Sequence, residues 1–190
     1  MNILIACEYS GIVRSAFESK GHFVVSCDLL ESEKPGRNHY QGDVRNILNS
    51  KLWDLVIAHP PCTYISNCGS RWFSTDTSRQ KKLIEAVDFF KLFLDLECPF
   101  VIENPIPSSK AVSLIGKKYT QLIQPYQFGH PYSKATCLWL SRGLPLLKPT
   151  HSKPEKIQVY TNVCGGGKDR AKIRARTFSG IATALADTYG

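Results

Sequence analysis

The chain has 190 residues, 43% of them apolar and 11% aromatic, which is enough for one continuous core, and none of its apolar runs approaches the length of a bilayer span. Twenty-four Lys and Arg against sixteen Asp and Glu leave a net charge of +8, which favours a polyanionic partner, while the lack of a bilayer-length apolar run argues against a membrane-embedded role. Seven cysteines form an odd set without a Cys-x-x-Cys pair, so a zinc or dithiol centre is not expected, and free thiols in a soluble, intracellular protein are.

Ile3 to Ala6 is a short apolar run that reads as a buried first strand; Gly11 follows, then a helical segment from Ile12 to Lys20. Phe23-Val24-Val25 begins a second strand that runs to Asp28, and a polar stretch leads to Gly42-Asp43-Val44. Leu55 to Ala58 is the third clear strand, ended by His59-Pro60-Pro61-Cys62, where two prolines stop regular pairing. Apolar residues recur with helical spacing between Ser78 and Leu96, and Phe100-Val101-Ile102 then forms a strand that delivers Glu103-Asn104-Pro105. A further strand is expected at Thr136 to Leu140, and a closing helix from Phe178 to Tyr189. Strands alternating with helices imply an α/β, Rossmann-like fold: a mostly parallel sheet covered on both faces, in a single domain over residues 1–190. Residues 141–172 combine seven Lys or Arg with Gly and Pro breakers and read as a basic, mobile or substrate-facing segment.

In an open parallel sheet, ligands bind beyond the carboxyl ends of the strands. Glu8-Tyr9-Ser10-Gly11, Asp28, Asp43, Cys62 and Glu103 all fall there. An acidic residue ending the second strand suits a ribose hydroxyl pair, whereas Gly-x-Gly-x-x-Gly is missing, which argues against nicotinamide or flavin. Gly165-Gly166-Gly167-Lys168 does not meet the spacing of a phosphate-binding loop and reads as a flexible loop. Pro60 and Pro61 fix the direction of the Cys62 thiol at the rim of the sheet, as covalent catalysis requires. Each residue also has a purely structural reading: Asp28 as a turn residue, Cys62 as packing, Glu103 as half of an ion pair. Tyr64, Trp72 and Phe73 follow the thiol and are placed to stack on a base or to cover a pocket.

Pro60-Pro61-Cys62 followed by Glu103-Asn104-Pro105 on successive strand ends resembles the DNA cytosine-5 methyltransferases, especially small, phage-type members. Tyr9-Ser10-Gly11 is similar to their cofactor turn. Phe128-Gly129-His130-Pro131 is similar to their Tyr-Gly-x-Pro, with Lys134 where an arginine is usual. The resemblance implies the S-adenosylmethionine-dependent methyltransferase fold, and methyl transfer to C5 of cytosine in DNA, duplex or single-stranded, through a covalent adduct on Cys62. It further implies Glu103, Asn104 and Lys134 as the other catalytic residues. The cofactor would lie on Glu8, Tyr9, Ser10, Gly11, Asp28, Leu29, Asp43, Val44 and Pro60, and the substrate on Pro61, Ser66, Arg71, Lys168 and Arg170. Lys172 and Arg174 are further basic residues available to the DNA backbone. The cysteine argues against amino-methylating relatives, which place an aromatic residue there. Full-length members insert a large target-recognition domain; only residues 141–172 are available here, so little sequence selectivity is expected. No metal is implied, and a phage-type enzyme would work in the cytoplasm of a bacterial host. The same chemistry on RNA or on a free nucleotide such as dCMP stays open, as does a non-catalytic protein that binds cofactor or nucleic acid.

Overall fold

Asn2–Ala6 forms the first strand, β1, and it is central: Phe23–Asp28 (β2) pairs with it on one side and Leu55–Ala58 (β4) on the other, both parallel. The computed structural model describes residues 1–34, 36, 38–68, 77–164, 166, 167 and 169–190, the side chain of residue 77 excepted. His39–Gln41 (β3), Phe100–Pro105 (β5), Gln121–Ile123 (β6) and Thr136–Leu140 (β8) complete a seven-stranded sheet of order β3-β2-β1-β4-β5-β8-β6. Only β8 runs against its neighbours, pairing antiparallel with both β5 and β6. Tyr132–Ser133 (β7) and Gln158–Val159 (β9) make a separate two-stranded ribbon.

The apolar runs are continuous because both faces of the sheet are covered. On one face Leu4, Ala6, Val56, Ala58, Ile102 and Trp139 pack against Leu83, Val87, Phe90 and Phe93 of Thr77–Leu94 (α3). Leu48 of Arg45–Leu48 (α2) and Ala111 and Ile115 of Ser109–Ile115 (α4) join that layer. On the other, Ile3, Ile5, Leu55, Ile57, Val101 and Leu138 meet Val13 and Phe17 of Ile12–Glu18 (α1) and Ile181, Ala182 and Leu185 of Ser179–Tyr189 (α7). The period of two along each strand thus divides consecutive residues between two cores. Tyr160–Val163 (α5) and Arg170–Ala175 (α6) lie between β9 and α7. The arrangement is the expected Rossmann-like α/β fold.

Two features position the site. The chain winds outward from β1 through β2 to β3 and then returns across β1 to β4, so the topological switch point lies between β1 and β4. A crevice opens there beyond the carboxyl ends of the strands. The other is Gly180, where a Cβ would come within 1.8 Å of the Phe128 carbonyl oxygen. Only glycine allows α7 to sit against the 3-10 turn Pro125–Phe128. Among the described residues no helix is long and apolar enough to cross a membrane.

The segment from 141 to 172, expected to be a basic, mobile or substrate-facing segment, is held at several points among its described residues. Leu147 is buried, and its backbone exchanges two hydrogen bonds with the Gln121 side chain, at 3.0 and 2.8 Å. The Tyr189 hydroxyl donates to the Pro145 carbonyl at 2.8 Å, and β9 pairs with β7. These partners are distant in sequence, which is why composition alone suggests a loose loop.

Candidate functional site

β4 ends at Ala58, and the backbone of His59 still donates to the Ala6 carbonyl at 2.9 Å before the two prolines interrupt pairing. The loop beyond is locked from the neighbouring strand. Asn104, almost fully buried on β5, donates its Nδ2 to the Pro60 carbonyl at 2.8 Å. Ile65 and Ser66 donate to the Cys62 carbonyl at 3.1 and 2.8 Å, and Ser66 bridges to Pro107. Cys62 therefore stands at the start of a tight turn whose two ends are both tied down, and it remains partly exposed. Burial pushes its thiol above the ordinary value and the Glu103 carboxylate pushes the same way, while the charges of Lys134 and Arg174 oppose them. At rest, Cys62 is a thiol.

Glu103 extends β5 on the α1 and α7 face and accepts from His59 Nδ1 at 3.0 Å. Burial alone would raise this carboxyl, but the hydrogen bond and charge of His59, with the charge of Lys134, outweigh it and hold it below its usual value. It is a carboxylate. Lys134 Nζ donates to the Arg174 carbonyl at 2.8 Å and lies 5.9 and 5.8 Å from the Tyr160 and Phe178 rings. Those rings and Tyr132 form an aromatic cluster, with Tyr160 against Tyr132 at 5.3 Å and against Phe178 at 4.7 Å. Cys62, Glu103, Lys134 and Arg174 thus share one electrostatic neighbourhood, although they come from four parts of the chain.

On the other side of the prolines lies a cavity of ≈ 260 Å³ lined by Cys7, Cys27, Asp28, Leu29, Gly42, Asp43, Val44, Arg45, Pro61 and Phe89. That approaches the lower end of ligand-pocket sizes, about 300 Å³. Asp28 accepts from Leu30 N through Oδ1 at 2.9 Å, and Oδ2 bonds nothing among the described residues. Leu29 beside it is 73% exposed, an apolar surface with no partner of its own. Cys7 holds φ at +59°, a left-handed conformation unusual for a residue with a Cβ, of the kind that gathers at ligand sites. Burial, then the charge of Asp28, pushes the Cys7 thiol up, and the same two causes raise Cys27 to about 12. On a protein of charge +8 this cavity is locally negative.

The first turn, beside Cys7 of the cavity, has its amides already engaged. Glu8 is buried, and its carboxylate accepts from Val13 N at 2.7 Å, Arg14 N at 3.2 Å and the Ser10 hydroxyl at 3.1 Å. An internal carboxylate thus already occupies the amides that a dinucleotide pyrophosphate would need. A phosphate there would meet like charge; a cationic or neutral nucleoside would not.

The structure accordingly divides the residues expected on the cofactor. Asp28, Leu29, Asp43 and Val44 line the cavity. Glu8 and Ser10 instead point into α1 and are buried, while Tyr9 donates to the Lys172 carbonyl at 2.5 Å. Gly11 caps α1 at φ +67°, and a Cβ there would lie 2.9 Å from the Lys34 side chain. Asp43, expected on the cofactor, accepts from Arg45 N through Oδ1 at 3.0 Å and from the Arg45 guanidinium through Oδ2 at 2.8 Å. Pro61, expected on the substrate, lines the cavity, whereas Pro60, expected on the cofactor, is absent from its lining and is held by Asn104. Ser66 is buried and holds the loop from within, and exposed Arg170 donates to the Thr161 carbonyl at 2.9 Å. Arg71, Trp72, Phe73, Gly165 and Lys168 lie outside the described residues.

Phe89, Arg45 and His59 escaped the site reading, and Arg174, expected on the DNA backbone, acts on Cys62 instead. Phe89 sits one step off the apolar stripe of α3, and the Arg45 guanidinium stands 5.0 Å over its ring. His59 adjoins the prolines in sequence, but its contact with Glu103 depends on strand register. Tyr64 lines a second cavity of ≈ 310 Å³ with Pro61, Lys82, Glu85, Ala86 and Phe89. Pro61 and Phe89 therefore form a wall common to both spaces.

No family model matches the chain, and no curated protein matches it. Among solved structures, the Entamoeba histolytica methyltransferase EhMeth is similar, with 16% identity, a TM-score of 0.46 and coverage of 88% of this chain. The chain spans 61% of the length of that neighbour.

Proposed function

We propose that the protein transfers a methyl group from S-adenosylmethionine to C5 of cytosine in DNA, with little sequence preference, and that Cys62 is the covalent nucleophile. The observation that carries this reading is the Asn104 to Pro60 bond. It fixes a cysteine loop between the acidic, nucleoside-sized cavity and the Glu103, Lys134 and Arg174 charges. The residues present suit the cofactor: Asp28 offers a free carboxylate oxygen to a ribose hydroxyl, Leu29 and Phe89 offer apolar surfaces to a purine, and the negative cavity favours a sulfonium. When bound, that cofactor supplies an electrophilic methyl group.

Cytosine C5 is too weak a nucleophile to take a methyl group unaided. Cys62 as thiolate adds at C6, and Glu103 holds the N3 edge so that the displaced electron pair is neutralised by a proton. Lys134 and Arg174 stabilise the thiolate that burial opposes. Loss of the C5 proton then returns the bonding pair to the ring and expels the Cys62 sulfur. In duplex DNA the base must first leave the stack, at a cost of a few kcal/mol. The net charge of +8 supports a polyanionic substrate.

Incubation with methyl-labelled cofactor and DNA, RNA or dCMP tests the reading. Label is expected in DNA cytosine, lost in Cys62→Ser, with a stable protein adduct on DNA carrying 5-fluorocytosine. Label confined to RNA or dCMP would move the substrate; no label anywhere, together with no adduct, would refute the chemistry.

A further inference from the structure

We infer that His59 acts through Glu103 as the group that orients its carboxylate and supplies the proton it delivers; the inference rests on the proposed cytosine chemistry. Register places the two together. β4 and β5 pair in parallel with Ile57 opposite Val101 and Ala58 opposite Ile102, so one step further brings His59 beside Glu103. Both side chains fall on the face shared with α1 and α7, and the Nδ1 to Oε2 distance is 3.0 Å, with side-chain exposures of 9% and 18%.

The second nitrogen sets this histidine apart. His59 Nε2 is buried and has no hydrogen-bond partner among the described residues. His39, by contrast, is held through both nitrogens, at 2.9 Å from Ser26 Oγ and 2.9 Å from the Leu30 carbonyl. A histidine fixed at both ends is a strut. One that donates from Nδ1 to a carboxylate and leaves Nε2 open can change its proton count without turning the ring. A buried polar atom left open costs about 1–3 kcal/mol.

The proposed reaction has a use for that proton. When the Cys62 sulfur bonds C6, the C5–C6 electron pair becomes the C4–C5 bond and the C4–N3 pair moves onto N3, which must take a proton. Glu103 as a carboxylate has none to give. A protonated His59 can supply one: Nδ1–H passes to Glu103 Oε2, and the carboxyl group so formed passes a proton to N3, which leaves His59 neutral and Glu103 again a carboxylate. After the methyl group is on C5, the C5 proton leaves to solvent, its bonding pair re-forms C5–C6, and the sulfur departs with the S–C6 pair. N3 then returns its proton to Glu103 and His59, so the pair ends as it began. The charged and titratable groups around it are Lys134, which acts on Glu103, and the Cys62 and Cys137 thiols, which both feel Glu103. Arg174 acts on Cys62 from the α6 segment.

The decisive variant is His59→Asn, whose Nδ2 can keep the donor to Glu103 but carries no exchangeable charge. It should bind S-adenosylhomocysteine as the wild type does, lose roughly a hundredfold or more in kcat, and show the high-pH limb of its rate profile displaced to lower pH. Wild-type kcat and an unaltered profile in His59→Asn would overturn the inference while leaving the methyltransferase reading intact. Ring-nitrogen NMR of the ligand-free protein provides a second measurement. Glu103→Gln should move the His59 Nδ1 resonance, and an unmoved resonance would equally overturn the pairing. A His59 resonance that responds to Glu103→Gln in a protein that methylates no cytosine would show instead that the underlying reaction is wrong, and the proton role would fall with it.

Discussion

Asn104 Nδ2 and the Pro60 carbonyl oxygen lie 2.8 Å apart, and this one bond joins the end of β5 to the loop that carries Cys62. Asn104 Oδ1 is also buried and has no hydrogen-bond partner among the described residues. Replacement by Asp would set a carboxylate against the Pro60 carbonyl and by Ala would leave that carbonyl unsatisfied. Asn104→Ala is expected to lose about 1–3 kcal/mol of stability and to slow adduct formation on 5-fluorocytosine DNA. Calorimetric affinity for S-adenosylhomocysteine should change little; a cofactor defect with normal adduct formation would contradict this division of labour.

Cys62 reactivity should follow the charges around it. Because burial and Glu103 raise the thiol, alkylation by iodoacetamide at residue 62 should be slow near neutrality and accelerate as pH rises. Glu103→Gln removes a charge that opposes the thiolate and should accelerate alkylation at fixed pH; Lys134→Gln should slow it. Peptide mass spectrometry resolves position 62 from the other six cysteines, and equal rates in all three proteins would dismiss the electrostatic account.

Asp28 should matter for the cofactor and little for the fold. Its Oδ2 has no partner among the described residues, so Asp28→Ala is expected to weaken S-adenosylhomocysteine binding by roughly tenfold to a hundredfold, about 1.5–3 kcal/mol for hydrogen bonds to a charged group. Titration calorimetry measures it. Unchanged affinity would place the nucleoside elsewhere.

His130 links pH to stability. Burial, then the charge of His151, holds it below the usual histidine value, and its Nε2 accepts from Gly180 N at 3.0 Å at the start of α7. The folded state favours the neutral ring, so this contribution is complete above the ordinary value of about 6.5 and is lost as pH falls below it. The Tm should decline between pH 7 and 5, and less steeply in His130→Gln; parallel curves would rule the linkage out.

Gly180→Ala should be more damaging than any of these. Its Cβ would collide with backbone, not with a side chain free to move. A loss of about 1–3 kcal/mol or more is expected from overpacking, read by chemical denaturation, with α7 the first element to lose amide protection.

The parts of the fold legible in the sequence were those whose signal is local. β1, β2, β4, β5 and β8 are apolar runs, and the ends of β2, β4 and β5 lead into Asp28, the Cys62 loop and Glu103, whose places along the chain could be read without coordinates. β6, β7 and β9 are two or three residues long and have no periodicity to read. α4 did carry a signal: Ser108 accepts from Ala111 N at 3.2 Å and Gly116 closes the helix at φ +76°. What escaped entirely depends on register and on distant contacts. Whether Glu8 turns into α1 or out towards a ligand, and whether His59 meets Glu103, is decided by how neighbouring strands align.

The antiparallel insertion of β8 has a consequence for synthesis. Until residue 140 has been made, β5 has no neighbour on its outer side, and the five parallel strands form a half-sheet with an open, apolar margin. Trp139, which fills the core under α3, arrives at the same moment. Nascent chains shorter than this should therefore be sticky and in need of chaperones, and ribosome stalling just before Thr136 would be more harmful than stalling anywhere beyond Leu140.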